Sequence, residues 1–99
     1  MVRHIIGWNF KEGCSNEENA SNAQKAKEQL EGLKDKIEEI QFIEVITNPL
    51  KSTTFDVLLV SEFESLEALE AYQVHEEHIK VAQFIRSVFT DRKCVDYEF

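Results

Sequence analysis

At 99 residues the chain is long enough for one domain, expected over residues 2–99. A single core of that size buries only about 60 to 65% of the surface exposed by the unfolded chain, so a partner chain is an expected source of extra stability. Nineteen acidic against eleven basic residues give a formal charge of −8. With no Lys/Arg cluster, this argues against nucleic acid and anionic membrane as partners, and for a neutral, aromatic or cationic small molecule as ligand.

No apolar run reaches the roughly 20 residues of a membrane span, and MVRHIIGWNF lacks the layout of a signal peptide. A soluble, cytoplasmic protein is expected. Cys14 and Cys94 lie far apart without a CxxC, so reduced thiols are expected in place of a metal knuckle or a disulfide framework.

In chain order, Val2 to Phe10 sets Val2, His4, Ile6, Trp8 and Phe10 on one face and Arg3, Ile5, Gly7 and Asn9 on the other, which predicts a first strand. Ser15 with Glu18 and Ser21 with Gln24 both have capping-box spacing, leaving two possible starts for the next helix. Its apolar stripe is Ala23, Ala26, Leu30, Leu33, Ile37 and Ile40. Gln41 to Thr47 predicts a short second strand, closed by Asn48-Pro49.

Phe55, Val57, Leu59 and Phe63 then alternate with Asp56, Leu58, Val60 and Glu62 in a strand with no wholly polar face. Ser65 is placed as the cap of a second helix beginning at Leu66. If that helix ran straight, Leu66, Leu69 and Tyr72 would point almost opposite to His78, Val81, Ala82, Ile85 and Phe89. Both sets cannot be buried at once, so a break is expected within Gln73 to Glu77. After Thr90-Asp91-Arg92, the stretch Lys93 to Phe99 reads as a last strand with Val95, Tyr97 and Phe99 against Cys94, Asp96 and Glu98.

The order β-α-β-β-α-β, joined by right-handed crossovers, predicts an α+β ferredoxin-like fold: an antiparallel sheet ordered 4-1-3-2 with its helices on one face. Under the helices should lie Ile6, Trp8, Phe10, Phe55, Val57, Leu59, Phe63 and the aromatics of the last strand. The other face keeps Ile5, Gly7, Leu58 and Val60 beside Arg3, Glu62, Asp96 and Glu98. It is too apolar for open water, which predicts a C2 homodimer through the sheet face.

The first strand begins where the second helix starts, so His4 should approach Tyr72, His75 and His78. Imidazole titrates near neutrality and a phenol can donate to a developing oxyanion, so these residues suit acid/base chemistry. The same residues also fit a structural reading, with His4 a satisfied core histidine, Tyr72 a helix aromatic, and His75 and His78 polar residues at a helix start. The state of His78 stays open, since a helix N-terminus favours neutral imidazole and Glu76 and Glu77 favour imidazolium. A metal set of His75, His78 and Glu62, Glu76 or Glu77 lacks a convergent third ligand, and three glycines give no phosphate loop. Neither metal nor cofactor is expected.

RHIIGWNFK, DVLLVSEFES, AYQVHEEHIKVAQFIRSV and CVDYEF resemble the stress-responsive A/B barrel, or Dabb, family over nearly the whole chain. The most specific element is Tyr-x-x-His-Pro-x-His, here Tyr72, His75, Glu76 and His78. The resemblance implies a monomer that dimerises through its sheets into an α+β barrel. A plant cyclase branch of the family performs a cofactor-free aldol cyclisation with a histidine and a tyrosine, and His78, Tyr72 and His4 fall on matching motif positions. Glu76 replaces the motif's proline, and the histidine that the cyclase carries early in its third strand is absent, with Asp56 and Val57 nearby. The leading expectation is a dimeric Dabb-type barrel with a small-molecule pocket and no assignable reaction. The alternative is a cofactor-free acid/base enzyme, with His78, Tyr72 and His4 as acid/base and orienting groups in a pocket lined by Trp8, Leu59 and His75.

Overall fold

The computed structural model describes every residue from Met1 to Phe99. Strand β1 (Val2–Phe10) lies at the centre, with Val2, His4, Ile6 and Trp8 buried on one face. Then follow helix α1 (Asn16–Gly32), strands β2 (Phe42–Ile46) and β3 (Val57–Phe63), helices α2 (Leu66–Val74) and α3 (Glu76–Val88), and strand β4 (Phe89–Glu98). The sheet order is β2-β3-β1-β4 with every neighbouring pair antiparallel, the topology expected from the sequence. The fold is ferredoxin-like α+β. No helix is long and apolar enough to cross a membrane.

Of the two possible helix starts, Ser15 is the one used. Its hydroxyl accepts from the Glu18 N–H while the Glu18 carboxylate accepts from the Ser15 N–H, both at 3.1 Å. Two of the helix's free N–H groups are satisfied this way. At the other end α1 tightens into a 3-10 turn over Leu33–Asp35. Ile37 and Ile40, read from periodicity as part of the helix, are therefore buried from the turn that follows it.

Edge strand β2 is tied to α1 through Lys27 and Glu31. Lys27 donates to the Val45 carbonyl at 2.8 Å, and the Val45 N–H donates to Glu31 at 2.9 Å. Burial works to raise the Glu31 carboxyl, but hydrogen bonds from Lys27 and Val45 outweigh it and hold the group below its ordinary value.

The register of β1 on β3 runs from Val2 opposite Phe63 to Trp8 opposite Val57. Facing residues share a side, so Val57, Leu59, Ser61 and Phe63 join the even-numbered residues of β1 beneath the helices. Ala26 and Leu30 from α1, Leu33 from the 3-10 turn, Leu69 and Tyr72 from α2, and Ile85 from α3 close over them.

The last strand departs from the alternation read in the sequence. It begins at Phe89, four residues before Lys93, and its pairing with β1 shifts by one residue between Gly7 and Asn9. Asp91 takes up the extra residue in the left-handed region, at φ 55°. The bulge inverts the faces. Phe89 packs inward on Trp8 and Phe10, at ring-centroid distances of 5.7 and 6.1 Å. Beyond the bulge Cys94, Asp96 and Glu98 stand opposite Ile6, His4 and Val2, on the helix side. Val95, Tyr97 and Phe99, expected under the helices, lie on the open face at 56%, 41% and 53% exposure.

Phe55 also lies on the open face, over Gly7. A Cβ on Gly7 would come within 2.5 Å of the Phe55 ring, so hydrogen is the only side chain this approach admits. Gly7→Ala should cost about 1 to 3 kcal/mol, the usual penalty for an atom forced into occupied space. Urea denaturation monitored by circular dichroism measures it, and an unchanged midpoint would show that the ring yields freely.

Candidate functional site

The helical segment after β3 is broken at His75, inside the window where opposed apolar faces require it. His75 is extended, at φ −65° and ψ 135°, and ends α2 by donating its N–H to the Tyr72 carbonyl at 3.2 Å. The same residue starts α3, because its Nδ1 accepts from the Glu77 N–H at 3.1 Å. The change of axis brings the rings of Tyr72 and His78 to 4.4 Å between centroids.

These rings border a cavity of about 310 Å³ between sheet and helices. His4, Trp8, Leu59, Tyr72 and His78 line it, together with Ile6, Leu30, Gln73, Ala82, Ile85, Arg86 and Arg92. His75 is not part of the lining, since its imidazole is taken up in capping α3. Nothing in the sequence marks Arg86, Arg92 or Gln73 as cavity residues. Arg86 reads there as one more charge on an amphipathic helix, and Arg92 as a turn residue.

His78 presents its Nδ1 to the Gln73 carbonyl at 3.1 Å. A carbonyl can only accept, so Nδ1 carries the proton and Nε2 is left with the lone pair. Burial lowers the His78 pKa, the Gln73 hydrogen bond opposes this, and the positive fields of His4, Arg92 and Arg86 lower it further. Neutral imidazole is the resulting form near pH 7, which answers the question left open by the helix terminus and Glu76 and Glu77.

Tyr72 is 1% exposed, and its hydroxyl has no hydrogen-bond partner in the protein. Burial pushes the phenol far above its ordinary value, only partly offset by Arg92, so the group stays a donor. His4 meets Tyr72 edge-on at 6.4 Å between ring centroids. Its Nδ1 is hydrogen-bonded to the Asp96 carboxylate, and the Cys94 sulfur lies 3.7 Å away. A carboxylate accepts only, so His4 donates from Nδ1.

His4, Cys94 and Asp96 offer nitrogen, sulfur and oxygen donors within 4.8 Å of one another, a set that could hold a metal ion such as zinc. A cation there would have to displace the proton between His4 and Asp96. It would also need the Cys94 thiolate, whose pKa is raised by burial and then by Asp96, with Arg92 opposing. The set weighed from the sequence does not assemble: Glu62 is on the open face, held by Arg3 at 3.0 Å, and His75 is a cap.

The model of the stress responsive A/B barrel domain, Dabb, matches residues 2–99. The chain belongs to the Dabb family. Among solved structures this Dabb chain is similar to a dimeric ferredoxin-like protein of unknown function from Bacteroides fragilis, at 34% identity and TM-score 0.90, over 99% of this chain and 95% of that one. A Dabb family protein from Mesorhizobium loti shares the fold at 15% identity and TM-score 0.72, over 99% and 95% of the two chains. So does a protein from Deinococcus radiodurans whose description suggests an antibiotic biosynthesis monooxygenase, at 14% identity and TM-score 0.77, over 100% and 92%. No curated protein matches the Dabb chain. The fold therefore selects no single reaction, and function has to be argued from the cavity.

Because the His78 pKa is lowered in the folded Dabb chain, the native state favours neutral imidazole and the unfolded state binds the proton more readily. The stabilising contribution is present above the ordinary value of 6.5 and is lost as pH falls through the lower native one. Proton NMR titration should place the His78 midpoint below 6.5. A midpoint at or above 6.5 would remove the argument for a neutral base.

Proposed function

We propose that this Dabb protein is a homodimer of single domains, residues 2–99, each binding a small molecule between sheet and helices and moving a proton next to a carbonyl with its own side chains. One observation carries the chemical part: Tyr72, whose buried hydroxyl has no protein partner, and neutral His78 line one cavity with their rings 4.4 Å apart.

In the proposed step, His78 Nε2 takes a proton from the carbon next to the carbonyl. The electron pair left behind moves to the carbonyl oxygen, and the Tyr72 O–H donates to the enolate that forms. His4, fixed by Asp96, orients the substrate. Return of the proton to another position of the enolate, or attack of the enolate on a second carbonyl, completes an isomerisation or an aldol closure. A positioned base of this kind contributes roughly 10²- to 10⁴-fold in rate.

The dimer rests on the open face. Ile5, Leu58, Val60, Val95, Tyr97 and Phe99 gather there around a single ion pair, Arg3 with Glu62, and the Arg3 guanidinium lies 4.0 Å over the Phe99 ring. Similar structures are described as dimeric, which agrees with joining two such faces.

Two experiments test this reading. In sedimentation at micromolar concentration the protein should run at twice its 11.5 kDa chain mass. Val60→Glu should shift it toward monomer, because an unpaired charge buried in that face is strongly unfavourable. A clean monomer in the wild type would defeat the dimer.

For the chemistry, deuterium exchange next to the carbonyl in a panel of neutral and acidic ketones should depend on His78 and Tyr72. His78→Ala should abolish it, and Tyr72→Phe should slow it by roughly 10- to 10³-fold, the effect of losing an oxyanion donor. Both variants should keep the fold. Exchange that survives His78→Ala would end the assignment.

A further inference from the structure

The cavity has a rim of opposite sign to the chain as a whole. Acids outnumber bases nineteen to eleven, yet the charged side chains that line it are Arg86, from α3 on one side, and Arg92, from β4 on the other. Neither is within ion-pair distance of a carboxylate. Asp96, on the same face of β4 as Arg92, is bound to His4 Nδ1.

Arg92 owes its place to the bulge. Before it, odd-numbered Phe89 faces the helices; beyond it, Lys93 pairs with Gly7 on the open face and Cys94 stands inward. Without the extra residue at Asp91, the alternation from Phe89 would turn Arg92 to the open face, away from the cavity. Asp91 takes up the left-handed conformation, uncommon outside glycine but best tolerated by Asp and Asn. One irregularity of the strand thus delivers an unpaired guanidinium to the cavity mouth.

Inside, the walls are Ile6, Trp8, Leu59 and Ile85, and the unpartnered Tyr72 hydroxyl is a donor waiting for an acceptor oxygen. We propose that the ligand is a small carboxylate with an apolar body, its carboxylate held at the mouth by Arg86 and Arg92 and a second acceptor oxygen reaching Tyr72. This rests on the pocket proposed above and names its substrate class: in the proton-transfer reading, a keto acid whose carboxylate end fixes the reacting carbon against His78. Guanidinium suits the task, because its planar fork of donors matches a carboxylate. This proposal differs from the expectation, drawn from composition, of a neutral, aromatic or cationic ligand. A net charge sums the whole surface and carries no information about one cavity.

Calorimetric titration of the full chain with 3-phenylpropanoate and 3-phenylpropanamide tests the inference, since the two share a body and differ in charge. The wild type should bind the carboxylate at least roughly tenfold more tightly, the effect of a charge-assisted hydrogen bond at a half-open site. Arg92→Gln and Arg86→Gln should each bring the ratio toward one, with melting temperature unchanged because both side chains are exposed. Arg92→Lys should retain part of the preference.

Equal affinities in the wild type, an unchanged ratio in both glutamine variants, or no binding of either compound would overturn the inference. Neither probe is a ketone, so the result is independent of proton transfer. Carboxylate preference without exchange on any ketone keeps the ligand class and removes the reaction. Exchange on neutral ketones without carboxylate preference does the reverse.

Discussion

The bend at His75 makes a pair out of two residues that one straight helix would keep apart. Six positions apart, Tyr72 and His78 would stand about 120° from each other around a common axis. A single extended residue resets the phase, and the rings meet at 4.4 Å. The bend is held from both sides, by the His75 N–H on the Tyr72 carbonyl and by the imidazole on the Glu77 N–H. Glu76 occupies the first position of α3, where proline is favoured because the N–H there has no helical acceptor. A carboxylate at that place favours the same helix end through the dipole. The break therefore does not require the proline.

This bend is legible in the sequence because the two halves of the segment carry apolar stripes that no straight helix reconciles. The inward side of β1 is legible for a similar reason, since His4, Ile6 and Trp8 alternate against Arg3, Ile5 and Gly7 without interruption. The last strand is different. Its aromatics alternate cleanly from Val95 to Phe99, but alternation says which residues share a face and nothing about which face it is. That choice is made at Asp91, a single polar residue in a polar turn. Both sides of the sheet are apolar enough to accept Tyr97 and Phe99, so hydrophobicity does not decide it either. Alternation alone therefore puts Asp96 and Cys94 on the open face, and the pairing of Asp96 with His4 does not follow from it.

His75 shows a second limit. From its spacing to His78 it could line a cavity or cap a helix, and the two roles demand the same polar ring at nearly the same place. What separates them is which nitrogen meets which backbone group, a matter of a few ångströms that spacing does not encode. Arg86 is inconspicuous for the opposite reason, since exposed arginines on amphipathic helices are common and only the approach of β4 gives this one a setting.

The Tyr72 hydroxyl has a consequence for how far this fold can be optimised. A buried polar group without a partner costs about 1 to 3 kcal/mol, and small domains hold only about 5 to 15 kcal/mol in all. Phenylalanine would keep the ring contacts with Phe63 at 4.9 Å and with His78 while removing the orphaned oxygen. As a piece of packing alone, Tyr72 is thus the inferior residue at its own position. A ligand oxygen that met the hydroxyl would offset that cost and stabilise the folded chain by mass action.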